Sequence, residues 1–129
     1  MARVYVAGPL STTRPGEDPY TVICENIKKA IDFGDDLIEI GFAPYVPHFT
    51  HYHNLHHMHD WATWLRIDHT FLLTCDALVR LPGPSRGADQ EVAWAKEAGI
   101  PVFTSLVDLC VKFRIPPYAL ASAEPEAAL

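Results

Sequence analysis

The sequence has no basic surplus: ten Lys and Arg stand against sixteen Asp and Glu, a net charge of −6. Proteins that grip nucleic-acid polymers normally carry a basic stripe, so that class is set aside. No apolar run approaches the roughly 20 residues that span a bilayer, so no membrane partner is expected. The opening Met1–Gly8 is too short and too strand-like for a signal peptide, and a cytoplasmic protein is expected. Cysteine is scarce. Cys24, Cys75 and Cys110 are odd in number and far apart, which excludes a disulfide framework and a cysteine zinc site. They are expected to be small buried hydrophobes. No internal repeat appears. With 49% hydrophobic and 20% charged residues, the chain has the composition of one globular domain with a real core. That domain is expected over residues 1–114, with 115–129 a Pro- and Ala-rich tail.

Periodicity then divides the chain. Arg3–Ala7 alternates β-formers and ends at Gly8-Pro9, predicting a first strand. Gly8 to Pro19 is too broken by Gly and Pro for regular structure. Ile23, Ile27, Ile31 and Ile38, with Ala30 and Leu37 beside them, recur at helical spacing and predict a helix from Tyr20 to Ile40, stopped by Gly41. Phe42–Val46 predicts a second strand, in which Pro44 is awkward at a central position. Pro47 to His59 holds six of the seven histidines and is expected to be a polar surface loop or a lid. A helix is predicted from Asp60 to Thr74, with Trp61, Trp64, Leu65, Phe71 and Leu72 as core or cavity residues. Ala77–Leu81 predicts strand three, Ala88–Ala98 a helix, and Ile100–Phe103 strand four. Ser105 with Asp108 resembles a capping box for a last helix, Leu106–Phe113.

Strands and helices alternating in this way predict an α/β fold: a doubly wound parallel sheet of four to five strands with helices on both faces, Rossmann- or flavodoxin-like. In such sheets ligands bind outside the carboxyl ends of the strands. Two loops should meet there, the one after Ala7-Gly8 and the one from Leu81 to Ser85. The second leads from a strand into a helix through Pro82-Gly83-Pro84-Ser85-Arg86-Gly87. Free amides and the dipole at a helix start favour an anion such as phosphate. Ser85 adds a hydroxyl donor, and Gly87 lets the backbone approach a ligand. Glu91 is expected in the first helical turn, where a carboxylate is favoured in its charged form. The plainer reading of Ser85 and Glu91 is helix capping.

Three carboxylates stand near these loops. Asp76 precedes a strand at its amino end, away from the cleft, and reads as structural. Asp68 lies mid-helix; it is either a solvated surface group or, half-buried in the cleft, a proton donor with a raised pKa. Of the histidines, His48 at a strand end is the one placed at the cleft. His53, His56, His57 and His59 have roughly ligand-like spacing. They form no His-Glu-x-x-His and have no cysteine among them, so no metal and no cofactor is expected.

Tyr5-Val6-Ala7-Gly8, Asp68 eight residues before Asp76, and Ser85-x-Gly-x-x-x-Glu91 together resemble the nucleoside 2-deoxyribosyltransferase superfamily. Within it the pattern is most similar to the 2'-deoxynucleoside 5'-monophosphate N-glycosidases, and to bacterial and phage proteins grouped as a domain of unknown function, which share Pro47-His48. The resemblance runs from about Val4 to Phe103. It implies a retaining double displacement with Glu91 as nucleophile, Asp68 protonating or hydrogen-bonding the departing base, and Tyr5 positioning Glu91 and bordering the sugar, where its phenol would select 2'-deoxyribose. Gly8 and its loop would give the sugar room. Where the transferases usually carry an Asp for the 5'-hydroxyl, this chain has Ser85, which favours a monophosphate. The loop Pro9–Pro19 lacks the Gly/Arg-rich sequence of the hydrolases; Arg14 and Arg86 are the candidates for its phosphate contacts. The partners implied are a small-molecule nucleoside or nucleotide and, by resemblance alone, a second copy in a homodimer or larger homo-oligomer. Three alternatives stay open: deoxyribosyl transfer between bases, a phosphoribohydrolase of the lysine-decarboxylase-like type, and a nucleotide-binding module without turnover. Against the phosphoribohydrolase stands the absence of its longer glycine run with paired glycines.

Overall fold

A computed structural model describes residues 1–11 and 15–115. Arg14 and the tail beyond Ile115 lie outside the described residues. The strands are β1 (Arg3–Ala7), β2 (Ala43–Tyr45), β3 (Ala77–Arg80) and β4 (Val102–Phe103). They form one parallel sheet in the order β2-β1-β3-β4. The helices are α1 (Pro19–Ile40), α2 (Thr50–His56), α3 (Trp61–Leu72), α4 (Arg86–Glu97) and α5 (Leu106–Lys112). Among the described residues no helix is long and apolar enough to cross a membrane.

Alternation along β1 sorts the core into two layers, because successive side chains of a strand point to opposite faces. Val4 and Val6 pack with Ala77 and Val79 of β3 against Ala30 and Leu37 of α1 and Leu109 of α5. Tyr5 and Ala7 pack with Leu78 against Leu72 of α3 and Ala88 and Ala95 of α4. Helices therefore cover both faces, as the sequence predicts. Four helices begin on side-chain caps: Asp18, Asp60, Ser85 and Ser105 each accept the amide three residues on, satisfying donors that the helix itself leaves orphaned. Gly41 ends α1 at φ 110°, a conformation that a Cβ would strain.

The departures from the sequence reading have local causes. Pro44 is accommodated because β2 is the sheet edge, where one missing amide is harmless. Gly34 is buried in α1 in place of Ile38, which stays exposed; a Cβ on Gly34 would come within 3.0 Å of Val46. Cys24 is exposed, unlike Cys75 and Cys110, because it lies on the outer side of α1. The histidine-rich segment is not a loop. Pro47–Phe49 makes a 3-10 turn and Thr50–His56 a helix, in a run with no Gly or Pro beyond its first residue to break it. Asp76 is structural as expected, its carboxylate accepting the amide of Arg3 at 2.7 Å. That bond ties the start of β3 to the start of β1.

Candidate active site

In the order β2-β1-β3-β4 the chain leaves β1 toward one sheet edge and β3 toward the other. The loops after these two strands thus diverge and leave a crevice between them. A cavity of about 540 Å³ opens there. Gly8, Leu10 and Ser11 line it from the loop after β1, and Pro84, Ser85, Arg86 and Gly87 from the loop and helix start after β3. The histidine-rich segment closes a third side with His48, His51 and Asn54. Trp61, Trp64, Leu65 and Asp68 of α3 form the fourth; their spacing places all four on one helical stripe. Glu91 of α4 stands at the floor.

Of the expected site residues, Glu91, Asp68, Gly8, Ser85, Arg86, Gly87 and His48 all line this cavity. Tyr5 does not. It is wholly buried beneath Glu91, and its hydroxyl donates to Glu91 Oε2. Its ring therefore does not border the cavity, and any effect it has on a ligand passes through Glu91. Gly8 has a packing reason for lacking a side chain: a Cβ there would meet Leu81 at 3.1 Å. At Gly87 a Cβ would meet only the Ser85 hydroxyl, at an ordinary contact distance of 4.0 Å, so neither strain nor crowding requires glycine at that position.

Glu91 also departs from expectation in its charge. The helix begins at Arg86, two residues before the predicted start, because Ser85 caps it by accepting from the Ala88 amide at 3.1 Å. Glu91 is thus the sixth helical residue, beyond the first turn where the dipole acts. It is 5% exposed, and burial pushes its pKa from 4.5 up to about 8. Asp68 is not a solvated surface group: it is 9% exposed, and burial raises it from 3.8 to about 7. His48 Nε2 lies 3.1 Å from the Pro9 carbonyl, and burial holds its pKa below the usual imidazole value.

The sequence reading missed Tyr45. Tyr5 and Tyr45 are register partners on β1 and β2, with ring centroids 5.4 Å apart. As Tyr5 donates to Glu91, so Tyr45 donates to Asp68 Oδ1 at 3.3 Å, and this bond opposes the upward push of burial on Asp68. Desolvation and its partnership with Asp68 raise the Tyr45 phenol itself. Phe71 stacks on the Tyr45 ring, with centroids 4.9 Å apart. Equal parity at the ends of neighbouring strands was the available signal. The second omission is Asn54, whose amide oxygen accepts from Trp64 Nε1 and from the His59 amide, both at 2.8 Å.

The amides of Arg86 and Gly87, first and second in α4, have no partner within the helix. The Ser85 hydroxyl accepts from Ala88 and keeps its proton to donate. This end of the cavity suits an anion. His53, His57 and His59 gather outside its lining: His53 packs edge-on to Trp64, with ring centroids 5.0 Å apart. Among the described residues no group of three or more His, Cys, Asp or Glu is placed to hold a metal ion.

A family model described as "Domain of unknown function (DUF7768)" matches residues 2–105. No curated protein matches the chain. Among solved structures, a 2-deoxyribosyltransferase from the psychrotolerant bacterium Bacillus psychrosaccharolyticus is similar in fold. It is 15% identical, with the likeness covering 85% of this chain and 80% of that one at a TM-score of 0.57.

Proposed function

For this chain, which belongs to the family described as Domain of unknown function (DUF7768), we propose an N-glycosidase that cleaves the base–sugar bond of a 2'-deoxynucleoside 5'-monophosphate. The observation that carries this reading is the pair of buried carboxyls facing one cavity, Glu91 and Asp68, each held by its own tyrosine. Simple anion binding needs neither. Two carboxyls on one cavity match the requirement of retaining glycoside chemistry for a nucleophile and an acid. The unit proposed to do this is the α/β domain, residues 1–114.

In this reading the phosphate sits on the amides of Arg86 and Gly87, with the Ser85 hydroxyl and the Arg86 side chain. Glu91 then attacks the anomeric carbon as Asp68 gives its proton to the departing base. The C–N bond breaks, its electron pair leaves with the base, and a glycosyl ester forms on Glu91. Water, deprotonated by the Asp68 carboxylate, releases the sugar phosphate and restores both groups. The reacting form needs Glu91 ionised while Asp68 is protonated, the reverse of the order that burial sets, with Asp68 raised to about 7 and Glu91 to about 8. The Tyr5 hydroxyl favours that form by donating to ionised Glu91.

The fold likeness to a 2-deoxyribosyltransferase favours a second reading, in which another base replaces water and takes the sugar. One assay separates them. Deoxynucleoside monophosphates and free nucleosides are incubated with the protein, with and without a second base, and the products are chromatographed. Free base alone is the hydrolase result, and a new nucleoside or nucleotide is the transferase result. Glu91→Ala should lower either turnover by orders of magnitude, and mass spectrometry of quenched wild type should find the sugar on Glu91. Near-normal turnover in Glu91→Ala overturns the mechanism.

A further inference from the structure

Resting on the reading above, we infer that Asn54 reads the edge of the departing base and selects one that presents a carbonyl oxygen. The orientation of the Asn54 amide is not open to choice. Its two partners, the Trp64 indole N–H and the His59 backbone N–H, can only donate, so the atom they share must be the oxygen. With both bonds made on one side, the NH2 group is the polar end of the side chain left for the cavity that Asn54 lines. It offers donors and no acceptor.

The placement of this donor suits a base. A base that takes its proton from Asp68 must lie along the α3 stripe of Asp68, Leu65, Trp64 and Trp61. At 1.5 Å per residue, Trp64 stands about 6 Å along the axis from Asp68 and Trp61 about 10 Å. That is the length of a planar heterocycle, and the two indoles with Leu65 give it an apolar wall. Asn54 is fastened to the Trp64 indole and so reaches the end of the heterocycle away from Asp68. A carbonyl there accepts from the amide. An exocyclic amino group meets another donor and leaves both unpaired, an arrangement that sites reject strongly. Hypoxanthine and uracil are the matched oxo partners of the amino bases adenine and cytosine.

The test needs no turnover. Isothermal titration calorimetry of the full chain with each of these four free bases gives the preference directly. Wild type should bind each oxo base about tenfold more tightly than its amino counterpart. Asn54→Asp keeps an oxygen for Trp64 and His59 but replaces the amide donors by an acceptor, so it should reverse the order. Equal binding of both members of each pair by wild type overturns the inference whatever the variant does, as does an unchanged order in a folded Asn54→Asp. The base-release assay run in parallel separates the two ideas. An oxo preference without release keeps the inference and removes the glycosidase. Release without a preference does the opposite, and neither binding nor release removes both.

Discussion

Replacing Glu91 by Gln tests the electrostatics of the cavity without any substrate. Glutamine has the shape of protonated glutamate, and its amide oxygen accepts from Tyr5 as the carboxyl does. In the unfolded chain Glu91 ionises near 4.5, whereas burial holds it protonated up to about 8 in the fold. The folded state therefore binds the proton more tightly. The stability this confers is complete below 4.5 and is lost as pH rises through about 8. At 1.36 kcal/mol per pH unit, ionisation of the unfolded chain costs the fold ~3 kcal/mol by pH 7 and ~5 kcal/mol above pH 8. The glutamine variant has nothing to ionise there. Urea denaturation at pH 5, 7 and 8.5 should find the two proteins nearly equal at pH 5 and Glu91→Gln more stable by ~3 kcal/mol at pH 7. Parallel stability curves across that range would refute the claim that Glu91 is buried and neutral.

Tyr5→Phe removes the donor to Glu91, a charge-assisted bond of about 1.5–3 kcal/mol. Because Glu91 titrates above Asp68, the basic break of the pH–rate profile should move up by about 1–2 pH units and turnover at pH 7 should fall at least tenfold, whereas an unmoved basic break would mean that Tyr5 does not tune Glu91. Asp68→Asn should leave a slow base release that rises through pH 8 and does not fall again, because the group whose ionisation ends activity is gone; a retained basic limb assigns the acid elsewhere. Ser85→Ala should weaken monophosphate binding by about 1–3 kcal/mol and free-nucleoside binding much less, with loss of the α4 cap lowering stability by about 1 kcal/mol in denaturation. Equal losses on both ligands would remove the phosphate from that helix start.

Much of this was legible in the sequence because period and punctuation agreed. Alternation in Arg3–Ala7, the Ser105 cap, and Gly41 each carry one local meaning, and the tertiary structure respects it. The two loops that face the cavity followed from topology alone. What could not be read was set by neighbours distant in sequence. The state of Glu91 depends on burial by segments that the chain supplies elsewhere, and a first-turn argument has no access to that. The Ser85 cap starts α4 at Arg86, two residues before the predicted start, and moved Glu91 out of reach of the dipole. Tyr45 was invisible as a site residue because its importance lies in register with Tyr5 and in a bond across to α3. The histidines drew attention by composition, yet in the segment's helix Asn54 makes the bonds that fix the cavity wall.

The register pairing of Tyr5 with Tyr45 has a consequence for how such a protein can change. Each phenol fastens one carboxyl to a strand, and the strands are fastened to each other, so the interval between the two acids is a lattice spacing of the sheet. Two of the walls that meet the rest of a ligand belong instead to the connections, residues 47–56 and 84–87. Insertions or drift in those connections can re-shape what enters the cavity while the two acids keep their interval. A one-residue slip of β2 would do the reverse, turning Tyr45 to the opposite face and leaving Asp68 without its donor. Contacts at the rim can thus be re-made without disturbing either tyrosine, whereas a change at either tyrosine reaches its carboxyl directly.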